Sequence, residues 1–151
     1  MSTAKPIHVL LVDNDADTRD WLAGWLRKHQ FVVDTAETGA EALRLFAQSR
    51  GSYDATVMDV RLGQAPDGIE TMKRILHDWP DAQVILMTAY GDVEEGMRAL
   101  RAGALQYVFK QGPSDEIVVH IGSAAEKRRL KSERDWLQVL ADVKIGRASC
   151  R

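Results

Sequence analysis

Four short apolar runs in this chain end in side chains able to handle a phosphoryl group. "HVLLV" is followed by Asp13-Asn14-Asp15, "ATVM" by Asp59, "VILM" by Thr88 and "QYVF" by Lys110. Carboxylate and amide oxygens suit a hard divalent cation, and Mg2+ takes six oxygens at about 2.0–2.1 Å while keeping several waters. A hydroxyl and an ammonium facing such a cation would hold phosphoryl oxygens. Phosphoryl transfer draws its catalysis chiefly from positioning and charge neutralisation. The acceptor has to be a carboxylate beside the metal, and Asp59 has the central place.

These residues meet only if the runs are parallel strands of one sheet, and the pattern supports that. Apolar, partly β-branched stretches at 7–12, 31–36, 53–59, 83–88 and 105–110 read as buried strands. Amphipathic segments separate them. Asp15 is an N-cap for a helix carrying Trp21, Leu22, Trp25 and Leu26 on one face, with both tryptophans expected in core or half-buried packing. Thr38 and Glu41 form a capping box for a helix through about Gln48. A third helix runs from about Asp67 to His77. A fourth, with Val93, Met97 and Leu100 on one face, stops at Gly103 as a C-cap. The last begins at Ser114, a capping type, and continues to about Val143, with Ile117, Ile121 and Ala124 as its inner stripe. Five strands alternating with five helices predict a doubly wound α/β fold with a parallel sheet covered on both faces. Right-handed crossovers limit the topologies, but the strand order does not follow from the pattern. The carboxyl ends of the strands share one edge, where such folds bind ligands.

The remaining features mostly exclude. The chain has 151 residues, 45% hydrophobic and 28% charged, with a net charge of −2, which fits one domain and gives no global field toward nucleic acid or an anionic membrane. No apolar stretch approaches a membrane span, and "MSTAKPIH" has no signal-peptide core. One cysteine, Cys150, offers no disulfide framework, so a cytoplasmic setting is expected. His8, His29, His77 and His120 show no metal-ligand spacing. From Glu126 the last helix becomes "EKRRLKSERD" and then "WLQVLADV", which reads as a helical connector over 126–144, its mixed charges forming a solvated face. Glu126 with Arg129, and Lys131 with Asp135, have spacings that allow helix-surface ion pairs. The final "IGRASCR", 145–151, matches a translated sequencing adapter and is set apart from the fold.

Over about 7–125 the chain resembles a two-component response regulator receiver domain. The resemblance rests on "LLVDND", "DATVMDVRLGQAPDGIE", "ILMTAYGDVEEGMRALRAGA" and "QYVFK", in that order. It implies a flavodoxin-like fold with strand order 2-1-3-4-5. It implies that Asp59 accepts a phosphoryl group from a histidine kinase or phosphotransfer protein. Asp13, Asn14, Asp59 and the backbone carbonyl of Arg61 would hold Mg2+ or Mn2+. Thr88 would meet the phosphoryl group and Lys110 pair with it. Tyr107 matches the aromatic whose rotamer reports activation, and Arg61 and Tyr90 match positions that set the phosphoryl lifetime. Self-phosphotransfer and autodephosphorylation would be the only enzymic acts. The face of the fourth helix, fifth strand and fifth helix would switch partners, and either that face or the C-terminal helix is open to homodimer formation. Neither nucleic acid nor membrane is an expected partner of this segment.

Two residues depart from the family pattern. Asn14 stands where a second acidic residue is usual, which predicts weaker Mg2+ binding. Gln111 stands where Pro usually follows the lysine, which predicts a trans Lys110–Gln111 bond and a shifted approach to the last helix, since a cis bond there would cost about 2.5–4 kcal/mol. Each site residue also has an ordinary role as cap, turn residue, strand residue or solvated charge. Those roles do not account for all of them at one sheet edge. A pseudo-receiver serving as a phosphorylation-independent dimerisation or docking module is the alternative. A phosphohydrolase ranks last, because the short loops supply neither an acid–base group nor a cap.

Overall fold

The structure, a computed structural model, describes residues 5–89, 91–111 and 114–149, and the side chains of all of these except 114 and 145–149. Five strands, β1 (His8–Val12), β2 (Val32–Ala36), β3 (Ala55–Asp59), β4 (Val84–Thr88) and β5 (Gln106–Phe109), alternate with five helices. These are α1 (Ala16–Lys28), α2 (Gly39–Ser49), α3 (Gly68–Asp78), α4 (Val93–Arg101) and α5 (Ser114–Ser149). All neighbouring strands are parallel in the order β2-β1-β3-β4-β5, the flavodoxin-like arrangement. β3 and β4 are buried throughout, as central strands of a doubly covered sheet must be. Two cores result. Leu10, Met58 and Leu86 pack with Phe46, Met72 and Ile75 on one face; Leu11, Val57 and Ile85 pack with Leu22, Leu26 and Ile121 on the other.

The helix starts follow local chemistry. Asp15 caps α1 by accepting from the Thr18 N–H at 3.1 Å, Thr38 caps α2 through the Glu41 N–H at 3.1 Å, and Asp67 caps α3 through the Glu70 N–H at 2.9 Å. The reciprocal Glu41 bond goes one residue further out than a standard capping box, to the Glu37 N–H. Gly68 has a packing reason. A Cβ there would lie 2.2 Å from the Asp59 carbonyl oxygen, so only glycine lets α3 begin hard against the end of β3.

Three expectations change. Trp21 is 59% exposed, because Leu22, Ala23 and Leu26 form the buried face of α1; Trp25 is half-buried, with the two indoles stacked at 6.3 Å. The buried face of α4 is Gly96 and Ala99, whereas Val93 and Met97 face outward. The small residues face in because α4 lies close against β5: a Cβ on Gly96 would fall 2.5 Å from the Tyr107 ring. On α5, Lys131 pairs with Asp81 and Arg129 donates to the Lys5 carbonyl at 3.0 Å, which replaces the close pairs expected along the helix. The inner stripe of Ile117, Ile121 and Ala124 is buried as the sequence predicts. Beyond it, Arg128 reaches Asp54 at 3.0 Å and the Gly51 carbonyl at 3.2 Å, and Trp136, Leu137, Val139 and Leu140 are exposed. The set-apart tail is helical through Ser149; its side chains, and the side chain of the expected cap Ser114, lie outside the described residues. Among the described residues, no helix is long and apolar enough to cross a membrane.

Candidate functional site

The strand register brings the site together. β3 ends at Asp59, whose partner on β4 is Met87; Thr88 follows Met87, and its own partner on β5 is Phe109, the residue before Lys110. Asp13 follows the last residue of β1 and donates its N–H to the Ala36 carbonyl at 3.1 Å. Asp13, Asp59, Thr88 and Lys110 therefore stand at one carboxyl edge of the sheet.

Their contacts are direct. The Lys110 Nζ lies 2.7 Å from Asp59 Oδ2 and 3.1 Å from both Oδ1 and Oδ2 of Asp13. Asp13 Oδ1 also accepts from the Asp15 N–H at 2.9 Å, and Asp59 Oδ1 from the Arg61 N–H at 3.0 Å. The Arg19 guanidinium donates to the Asp13 carbonyl at 2.7 Å and fixes the turn from outside. The Lys110–Gln111 bond is not cis; the one cis bond among the described residues is Ala65–Pro66. Despite Gln111, the ammonium still reaches both carboxylates.

Electrostatics follows from burial. The Asp13 side chain is fully buried, and this desolvation raises its pKa above the usual carboxylate value; the bond from Asp15 and the Lys110 ammonium oppose the rise without cancelling it. At Lys110 burial lowers the pKa, but bonding to Asp59 and Asp13 outweighs it, so the net shift is upward. At this edge the Thr88 hydroxyl is buried with no hydrogen-bond partner, while Asp13 Oδ2 is buried and has only the ion pair with Lys110 at 3.1 Å. An unpartnered buried hydroxyl is costly and rare, and one beside an ion-paired carboxylate marks a place for a further group.

A hard cation fits the donor set. Asp13 and Asp59 supply carboxylates, both already drawn to one cation, the Lys110 ammonium. The Asn14 side chain is exposed, and its amide lies over Gly63 of the β3–α3 loop, 3.0 Å from where a Cβ would stand. Among the described residues no group of three or more His, Cys, Asp or Glu is placed to hold a metal, so a cation here would depend on the Asn14 amide, a backbone carbonyl such as that of Arg61, and water.

Tyr107 and Arg61 lie to the side. Tyr107 is half-buried on β5, its ring against Gly96 of α4 and edge-on to Phe109 at 5.8 Å. The Arg61 guanidinium crosses to α4, 3.8 Å from Asp92 and 3.5 Å from Glu95. Sequence reading missed this pair of acids, although Asp92 and Glu95 carry cap-box spacing; Asp92 caps α4 through the Glu95 N–H at 3.0 Å. Tyr90 lies outside the described residues.

The response regulator receiver domain model matches residues 9–122. The chain belongs to this family. It is 34% identical over 125 residues to the regulatory protein AtoC of Escherichia coli K12, covering 83% of this chain and 26% of that protein. It is 32% identical to the C4-dicarboxylate transport transcriptional regulatory protein DctD of Rhizobium meliloti, covering 89% of this chain and 29% of that one. The crystal structure of NtrX from Brucella abortus superposes with a TM-score of 0.79 at 27% identity, covering 88% of this chain and 30% of that one. The chain thus spans under a third of the length of these relatives. A receiver domain from Clostridium thermocellum shares the fold, with a TM-score of 0.77 at 23% identity, covering 82% of this chain and 98% of that one.

Proposed function

We propose that this receiver domain takes a phosphoryl group on Asp59 from a phosphohistidine of a kinase or phosphotransfer protein, assisted by Mg2+ or Mn2+, and thereby switches its α4-β5-α5 face. The observation that carries the reading is the meeting of Asp13, Asp59 and Lys110 within 3.1 Å contacts, beside the unpartnered Thr88 hydroxyl. Membership of a phosphorylation-responsive signalling family supports it.

The chain's own residues divide the work. Asp59 Oδ bonds to phosphorus as the P–N bond of the donor breaks, and the leaving imidazole keeps that electron pair and takes up a proton. Lys110, already on Asp59, neutralises the phosphoryl oxygens. Thr88 turns its idle hydroxyl to one of them. A divalent cation held by Asp13, Asp59, Asn14 and the Arg61 carbonyl would supply neutralisation of the remaining charge. Thr88 moving inward frees space beside Tyr107, whose ring bears on α4 at Gly96. A changed α4-β5-α5 face then alters pairing with a second copy or with output segments, as full-length regulators such as AtoC and NtrX would require.

The test is intact mass after incubation with acetyl phosphate and Mg2+. One phosphoryl adduct in the wild type and none in Asp59→Asn is the expected result. No adduct in the wild type would refute the reading and favour a phosphorylation-independent docking module.

Asn14 makes a separate expectation. Asn14→Asp restores a full charge beside Asp13 and should tighten Mg2+ binding about tenfold, since ligand charge count sets affinity at such sites. Tryptophan fluorescence reports it, because Trp21 and Lys110 line one cavity of about 290 Å³ with Thr18 and Met87. Equal affinities in the two proteins would show that the amide costs nothing.

A further inference from the structure

We infer that Asp92 and Glu95 are positioning residues, which hold the Arg61 guanidinium on α4 until Asp59 is phosphorylated and then yield it to the phosphoryl group. The inference rests on Asp59 being the phosphoacceptor.

Arg61 joins two elements. Its backbone N–H donates to Asp59 Oδ1 at 3.0 Å, while its side chain leaves the loop for the first turn of α4. Both α4 contacts are loose: Nη2 to Asp92 Oδ2 is 3.8 Å and Nε to Glu95 Oε2 is 3.5 Å, against roughly 2.7–2.9 Å for a well-made charge-assisted bond. The guanidinium side is 74% exposed, so the pairing is screened and weak. Glu95 is the reverse case. Its side chain is only 11% exposed, and its Oε1 is buried with no partner. Asp92 is already engaged as the α4 cap. The acids therefore bind Arg61 just firmly enough to turn it from the site.

A phosphoryl group on Asp59 changes the balance. It places about two negative charges on the residue that Arg61 already touches through its backbone. Its oxygens accept a guanidinium in fork geometry, which neither α4 carboxylate does here. Arg61 exchanges partners, and the first turn of α4 loses its tie to the β3–α3 loop. Gly96, next to Glu95, is the residue on which the Tyr107 ring rests, so the exchange reaches the switching face.

A second consequence concerns lifetime. In hydrolysis a water oxygen bonds to phosphorus, the P–O bond to Asp59 breaks, the carboxylate leaves with the bonding pair, and the water's protons pass to the released phosphate and solvent. A guanidinium on the solvent side of the phosphoryl group obstructs that water. Asp92 and Glu95, by competing for Arg61, shorten the lifetime.

The experiment uses the full chain, phosphorylated with acetyl phosphate and Mg2+, then freed of donor. Glu95→Gln and Asp92→Asn, the latter retaining a capping side chain, should each lengthen the adduct half-life at least about threefold, the scale of one exposed charge pair. In an Arg61→Met background the same changes should have no effect, which a merely structural role would not produce. The Arg61 Nε–H resonance, assigned by its loss in Arg61→Lys, should move when beryllofluoride and Mg2+ occupy Asp59. An adduct that forms normally, with that resonance unmoved and both variants decaying at the wild-type rate, overturns the inference and leaves Asp59 as acceptor. Failure of any adduct to form overturns both.

Discussion

Lys110→Met is expected to cost about 2–3 kcal/mol of folding stability at neutral pH without divalent cations. Removing one partner of a buried charge pair typically costs about 3–5 kcal/mol, because the other is left buried and uncompensated. Here the ammonium is 26% exposed, so water partly replaces it and the figure is discounted, while Asp13 at 0% and Asp59 at 9% have little access to water. Methionine keeps the length and apolar stem of lysine, so little packing is lost. The pH dependence has a defined sign. Burial raises the folded pKa of Asp13 above its unfolded value of 3.8, so the folded state holds the proton more tightly. Any stability from that proton is fully present below the unfolded pKa and is lost as pH rises through the folded one. Without Lys110 the folded pKa climbs further, and the loss extends toward neutrality. Urea denaturation in EDTA should therefore show a deficit that shrinks between neutral pH and about pH 5. Adding Mg2+ at neutral pH should stabilise the variant more than the wild type, since a cation between the carboxylates takes over the ammonium's role. An unchanged deficit at both pH values would mean that the loss is one of packing, and that the carboxylates do not feel Lys110.

The wild type has the complementary limb at high pH. The raised folded pKa of Lys110 contributes stability that is complete below the unfolded value of 10.5 and declines as pH rises through the folded one. Asp13 and Lys110 thus act in the same direction, each raised pKa making stability fall as pH rises, and the site is most comfortable with one positive charge between its two carboxylates. A phosphoryl group on Asp59, as proposed above, would add negative charge to a place with a single ammonium, and a divalent ion would offset it.

How much of this was legible depends on what each residue answers to. Strand and helix positions followed from periodicity, because β3 and β4 had to be apolar to sit in the sheet centre and α5 had to show Ile117, Ile121 and Ala124 to it. The meeting of Asp13, Asp59, Thr88 and Lys110 was legible for a related reason: each lies at the end of an apolar run, and parallel strands deliver such ends to one edge. The inner face of α4 was not legible. Pattern reading seeks large apolar residues, yet Gly96 and Ala99 face in because Tyr107 fills the space they leave, while Val93 and Met97 are outside. A helix packed close to a large neighbour shows its smallest residues, and no local periodicity reveals the neighbour. Trp21 misled likewise, since an aromatic at helical spacing can stack on the next turn in solvent, as it does on Trp25. The Arg61 bridge to Asp92 and Glu95 joins residues more than thirty apart, and its acids also explain themselves as caps.

Thr88→Val should raise stability by about 1 kcal/mol and abolish switching. Thr88 is fully buried, and its hydroxyl has no hydrogen-bond partner. An unpartnered buried hydroxyl costs about 1–3 kcal/mol of desolvation, and a methyl of similar shape removes that cost. For a chain of this size the midpoint of thermal unfolding should rise by about 2–4 °C. Thr56 provides the control. It lies in β3, is 1% exposed, and its hydroxyl is equally unpartnered, but it stands inside the sheet and not at the carboxyl edge. Thr56→Val should therefore stabilise by a similar amount and leave the response to phosphorylation intact. With beryllofluoride and Mg2+ on Asp59, the Tyr107 ring resonances should shift in the wild type and in Thr56→Val, and stay fixed in Thr88→Val. The two substitutions share one chemistry and one thermodynamic sign, so only position separates them. A hydroxyl that costs stability at rest and is needed when charge arrives beside it is held there for the charged state. A Thr88→Val protein that lost stability, or that still moved Tyr107, would place the switch elsewhere in the domain.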